Sequence, residues 1–216
     1  HRGTSGFGSM NDPYMPIEKD LELTRRALKT IVNLRFPVHI ITKSDLVLRD
    51  IELLKKLKDI YCAVTFTITT TDDKLARKIE PNSPPPSARF SAISDLSNTG
   101  IYTGITMMPI LPFINDTTEN VDSMVSKAKL AGAKYILPYF GVTLREGSRE
   151  YYYKQLDRLF PNLKEKYIKD FGNAYACNSH RANELYNLLK KCCAQQGIST
   201  KMKFYSPKRN TQLALF

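Results

Sequence analysis

The chain has 216 residues, 42% hydrophobic and 25% charged, with a formal net charge of +11. That length buries a full core as one domain, or as one domain with a small appendage. No apolar run approaches membrane-span length and no signal-peptide pattern opens the chain, so a cytoplasmic location is expected. The charge is uneven. From Arg145 onward there are 14 Lys and Arg against 6 Asp and Glu, whereas the first 144 residues carry 18 against 15. A basic C-terminal third suits a phosphate backbone, or is simply a solvated helical surface.

Strand and helix patterns alternate along the chain. Gly3 to Met10 reads as a short strand of small residues, and Asp20 to Leu34 as a helix with Leu21, Leu28, Ile31 and Val32 on one face. Val38 to Thr42 is a strand behind Pro37. Ser44 then caps a helix in which Val47, Ile51, Leu54 and Leu57 share a face. Cys62 to Thr70 is β-branched, with Thr65, Thr67 and Thr69 on one side and Val64, Phe66 and Ile68 on the other. A short helix from Asp72 to Ile79, the Pro84-Pro85-Pro86 loop and a helix from Ser87 to Asn98 follow. Ile101 to Pro109 is a strand, 117–131 a helix closed by Gly132, and Tyr135 to Val142 another strand. Helices then dominate, at 150–160, 163–171 and 180–196, before a Lys-, Ser- and Gln-rich stretch that reads as a tail.

Such alternation with short connections predicts a parallel sheet with right-handed crossovers. Five strands are too few for a closed eight-stranded barrel, so the expected fold class is α/β, a partial, open TIM-type barrel with a helical C-terminal part. The expected divisions are 1–145 for the barrel, 146–200 for the helical part and 201–216 for a basic tail. The pattern begins on a strand with nothing before it, which suggests a piece of a longer protein.

Polar groups gather at the strand ends: Asn11 and Asp12 after the first, Lys43 and Ser44 after the second, Thr67 and Thr69 on the third, Asn115 and Asp116 after the fourth. In a parallel sheet these converge on one rim. A lysine beside hydroxyls and an amide suits a carboxylate, and Asp12 suits an amine, so the set fits a zwitterionic amino-acid group. The same residues are also good cap and turn formers. Glu80 and Arg89 flank the proline loop, either as a salt bridge fixing it or with Arg89 reaching the rim. Tyr151-Tyr152-Tyr153, near Arg145 and Arg149, either stack on bases or pack a helix against the sheet.

The four cysteines, Cys62, Cys177, Cys192 and Cys193, have no iron–sulfur or zinc spacing, and His1, His39 and His180 form no ligand pair. No metal site is expected from these residues. No P-loop, G-x-G-x-x-G or G-x-S-x-G sequence occurs. The final Gln212-Leu213-Ala214-Leu215-Phe216 follows a basic run and reads as a short linear anchor, or as a tail folding back on its own domain.

The segments Gly8 to Tyr14 with Pro16 and Glu18, Pro37 to Asp45, Glu80-Pro81 with Pro86 and Arg89, and Pro109 to Asp116 occur in the order of a known family. From about Gly6 to Phe160 the chain resembles the spore photoproduct lyase-like (DNA repair photolyase-like) branch of the radical S-adenosylmethionine enzymes. The resemblance implies a partial barrel and a [4Fe–4S] cluster on an N-terminal C-x-x-x-C-x-x-C loop. It also implies reductive cleavage of S-adenosylmethionine to a 5′-deoxyadenosyl radical. By resemblance, Asn11 and Asp12 match the turn at the methionyl amine, Lys43 matches a carboxylate contact, and Thr65 or Thr67 lines the same pocket. Arg89 and Asn115 complete the candidate cofactor-binding set.

The cysteine loop is missing from this sequence, as is the strand before it. The lyases' hydrogen-donor cysteine is also missing: Ser9 and Met10 stand at that strand end. The expectation is a fragment of a radical S-adenosylmethionine protein, inactive as given, with the substrate unassigned. The alternative is a non-catalytic module that holds DNA or another nucleic acid on its basic third. Gln212–Phe216 resembles the peptide by which bacterial proteins bind the DNA sliding clamp.

Overall fold

A computed structural model describes residues 3–8 and 10–207. Ser9 and the clamp-like Gln212–Phe216 lie outside the described residues. Five parallel strands form one sheet in chain order: β1 (Ser5–Phe7), β2 (Val38–Thr42), β3 (Cys62–Thr67), β4 (Tyr102–Met107) and β5 (Tyr135–Pro138). The register sets Ile41 beside Thr65, Thr65 beside Gly104, and Gly104 beside Tyr135. The crossovers run through α1 (Glu18–Leu21), α2 (Leu23–Leu34), a 3-10 turn (Asp45–Asp50), α3 (Ile51–Leu57), α4 (Asp73–Ile79), α5 (Pro86–Asn98) and α6 (Thr118–Leu130). The fold is therefore α/β with an open, partial TIM-type sheet.

Period-2 alternation divides the strands between two faces. Val38, Ile40, Val64, Phe66, Ile105 and Ile136 face outward and bury against Leu28, Leu54, Ile93, Val121 and their helical neighbours. The concave face carries Ile41, Ala63, Thr65, Thr67, Gly104, Thr106 and Tyr135. The central strands are buried on both sides, as a parallel sheet under helices requires.

The strand expected over Tyr135 to Val142 is two. It breaks after Pro138, and β6 (Gly141–Thr143) leaves the barrel to pair antiparallel with β7 (Ala176–Asn178). This pair, with α7 (Ser148–Leu159) and α8 (Leu163–Phe171), has its own core of Leu111, Val142, Leu144, Leu156, Tyr167 and Cys177. Tyr152 and Tyr153 pack there against Tyr167, leaving Tyr151 67% exposed. Two contacts fix the unit to the loop after β4: Tyr167 donates to the Pro112 carbonyl (2.9 Å), and Ser179 Oγ to Asp116 Oδ2 (2.5 Å).

α9 (Ala182–Gln196) returns the chain to the barrel and packs on α6. Ser199 then bridges to Tyr135 at the sheet edge. Residues 198–207 run as a strap across the strand starts. Met202 is buried against Ala63 and Tyr135, Tyr61 donates to the Lys203 carbonyl (2.7 Å), and the Lys203 amide donates to the Tyr102 hydroxyl (3.1 Å). Among the described residues no helix is long and apolar enough to cross a membrane.

Candidate functional site

The strand ends of β1 and β2 open into a cleft of about 720 Å³ whose walls include Asp12, Lys19, Lys43, Ser44, Arg49 and Pro81. Asp12 ties the loop after β1 to the end of β2. Its Oδ1 accepts from the Tyr14 amide (2.9 Å) and from Thr42 Oγ1 (2.6 Å), and its Oδ2 from the Lys43 amide (2.7 Å). Among the described residues these bonds take up three of the about four acceptor positions that a carboxylate offers.

A second set of charges clamps this loop from behind. Tyr14 donates to Asp50 Oδ2 (3.0 Å), and Asp50 is also held by Arg25 and Arg49. Glu18 accepts from the Thr24 and Arg25 amides and from Arg49 (2.8 Å). Burial opposes ionisation of Glu18, but the Thr24 amide and the Arg49 guanidinium outweigh it, so its carboxyl lies below the usual range. Burial first, then Asp50, pushes the Tyr14 phenol well up, so it stays a donor. Arg49 is thus committed to protein carboxylates although it lines the cleft.

Lys43 projects from the end of β2 and is 37% exposed. Its Nζ lies 3.3 Å from Glu80 Oε1, while Glu80 Oε2 accepts from Arg89 (2.8 Å). Arg89 is 1% exposed and also donates to the Pro84 carbonyl (2.8 Å) and the Thr67 carbonyl (2.7 Å). Arg89 is therefore the bridge that fixes the proline loop to the end of β3, and it does not line the cleft.

The remaining candidates are dispersed. Asn11 is exposed and lines no wall of the cleft. Thr65 is buried on the concave face, bonded to His39 Nε2 (2.7 Å) and Tyr135 Oη (2.5 Å). Thr67 bonds Thr106 (2.9 Å) across the strand pair. Asn115 closes the turn after β4, accepting from the Leu111 amide (2.6 Å) and donating to the Thr69 carbonyl (2.8 Å). The cleft thus unites Asp12 and Lys43 but not the rest.

Sequence reasoning missed the Glu80–Lys43 contact and the His39–Thr65–Tyr135 chain. The second had a signal. His39 shares a strand face with Ile41 and Thr65 lies on the facing strand, but their contact needs the register, which pairs His39 with Ala63 and leaves Thr65 on the diagonal.

The four cysteines do not fit an iron–sulfur cluster. Cys62, Cys177 and Cys193 are buried, and burial pushes the Cys62 thiol up to about 12 and the Cys193 thiol up to about 11. Cys192 bonds Asp122. Thiols so disfavoured as thiolates are poor ligands, and among the described residues no group of three or more His, Cys, Asp or Glu could hold a metal ion.

Comparison with known proteins places this geometry. The uncharacterized protein MJ0683 of Methanocaldococcus jannaschii is 36% identical over 197 residues, which is 91% of this chain and 70% of that one. The chain belongs to the MJ0683 family. The uncharacterized protein Rv2578c of Mycobacterium tuberculosis is 28% identical over 77% of this chain, and the match spans 49% of that protein. A radical SAM Nalpha-GlyT isomerase of a Pseudomonas phage is 22% identical over 89% of this chain and 41% of its own length.

Among solved structures, spore photoproduct lyase with bound AdoMet and dinucleoside spore photoproduct has TM-score 0.64 at 13% identity, over 93% of this chain and 61% of that one. SuiB of Streptococcus suis bound to its precursor peptide has TM-score 0.55 at 13% identity, over 92% of this chain and 38% of that one. The chain therefore shares the fold of spore photoproduct lyase and SuiB. No protein-family model matches the chain.

Proposed function

We propose that this chain is most of the barrel of a radical S-adenosylmethionine protein related to the DNA-repair lyases, with the cleft holding the methionyl end of the cofactor. The observation that carries the reading is the meeting of Asp12 and Lys43 in one cleft at the ends of β1 and β2. The remaining acceptor position of Asp12 takes an N–H of the methionyl ammonium. Lys43 places a cation where the carboxylate lies, and Ser44 adds a hydroxyl beside it. Bound S-adenosylmethionine supplies a 5′-deoxyadenosyl group once an external cluster reduces it.

These 216 residues carry no C-x-x-x-C-x-x-C spacing for such a cluster, so no radical step is assigned to this chain's own side chains. Their part is to bind and orient the amino-acid end of the cofactor. S-adenosylmethionine is not expected to bind tightly to these 216 residues alone, so the role is tested by titration calorimetry of the cofactor into the intact, cluster-containing protein and its Lys43→Ala variant. Loss of one charge-assisted contact should weaken binding roughly tenfold or more. Equal affinity, with both proteins folded, overturns the assignment.

A further inference from the structure

α4 and α7 flank a second groove, of about 140 Å³, below the roughly 300 Å³ of an ordinary small-molecule pocket and so sized for one ring system. Ile79, Leu111, Ile114 and Leu156 give it an apolar lining. Lys78 from α4 and Arg158 from α7 stand in its walls, and no carboxylate lines it. Tyr151 also lines it and is 67% exposed.

The surroundings repeat that chemistry. Tyr151, Lys154 and Arg158 follow one another at helical spacing along α7, and all are exposed. Lys74, Arg77 and Lys78 are exposed on α4. Asp157, beside Arg158, is already paired with Lys164 (3.3 Å), and Glu146 and Glu150 do not line the groove. Pro81 belongs to the walls of both the groove and the cofactor cleft, so the two adjoin.

We propose that this groove binds single-stranded nucleic acid, with one base slotted against Tyr151 and the flanking phosphates on Lys78 and Arg158. An apolar slot with an exposed aromatic ring, cations in its walls and no anion complements a base between two phosphates. A purely apolar protein anchor would leave those cations unanswered. Paired bases are stacked inside a duplex and cannot enter a slot of this size, so the site selects an unpaired strand. The inference does not depend on the cofactor reading, since none of its groups holds the methionyl end.

The test uses fluorescence anisotropy of a short labelled oligothymidylate with the full chain, against an unlabelled duplex of the same length. Single-strand binding should exceed duplex binding, and Tyr151→Ala should weaken it about tenfold, the loss of one base–aromatic stack. Lys78→Gln with Arg158→Gln should weaken it further and reduce the slope of log affinity against log salt by about 1.4. Lys190→Gln with Lys191→Gln, the same charge change on exposed positions of α9, should leave it near wild type. The proposal fails if the oligonucleotide does not bind, if the duplex competes equally, or if the α9 pair weakens binding as much as the groove pair.

Discussion

Glu80 lies 3.3 Å from Lys43 and 2.8 Å from Arg89, so a single carboxylate answers both an ammonium at the cleft wall and a guanidinium inside the protein. The two halves of that arrangement differ in energy. Arg89 is 1% exposed and has no other counter-ion among the described residues, whereas Lys43 is more than a third exposed. Glu80→Gln should lower unfolding free energy in urea by about 3–5 kcal/mol, the cost of stranding a buried charge. Lys43→Ala should cost about 1 kcal/mol or less. If both cost the same, Arg89 is not the dependent partner.

Asp12 is expected to be as structural as it is functional. Its three bonds join the loop after β1 to Thr42 and Lys43. Asp12→Ala should lower stability by about 1.5–3 kcal/mol and loosen the cleft together with it. Amide hydrogen exchange should quicken at Lys43, whose N–H donates to Asp12. Unchanged protection there would separate Asp12 from the geometry of β2.

His39 gives stability a pH dependence. Burial lowers its pKa from the ordinary 6.5. Below pH 6.5 the unfolded chain takes up a proton that the native ring refuses, so stability falls as pH drops from about 6.5 through the native value. Urea unfolding at pH 7.5 and 5.5 should show that loss, and His39→Gln should flatten it. A variant with the same slope would place the titration elsewhere.

Gly104 is required by the ring above it. A Cβ there would lie 2.3 Å from the Tyr135 ring, which crosses Gly104 to reach Thr65. Gly104→Ala should therefore cost about 1–3 kcal/mol as an overpacked site. Tyr135→Phe, which removes only the hydroxyl, should cost about 0.5–1.5 kcal/mol. An alanine tolerated without loss, by thermal unfolding, would mean the ring is free to move.

The sheet was legible because β-branched runs alternate with capped, amphipathic helices. Asp12 and Lys43 were legible because polar residues closing successive parallel strands must share a rim. What escaped depended on contacts that no local pattern encodes. β7 has three residues and pairs only because Gly141 lets Cys177 and Asn178 come close. Residues 201–207 read as tail because their composition is polar, yet Met202 anchors them under the sheet. Arg89 could be read either as the bridge to Glu80 or as reaching the rim, because its burial depends on Glu80, the Pro84 carbonyl of the loop and the Thr67 carbonyl of β3, none of them next to it in the chain.

The strap of residues 198–207 lies over the starts of β3, β4 and β5, so it covers the end of the concave face opposite the strand-end rim where Asp12 and Lys43 meet. The last stretch of the chain thus shields the strand starts from solvent and leaves the polar chemistry to the opposite ends of the strands.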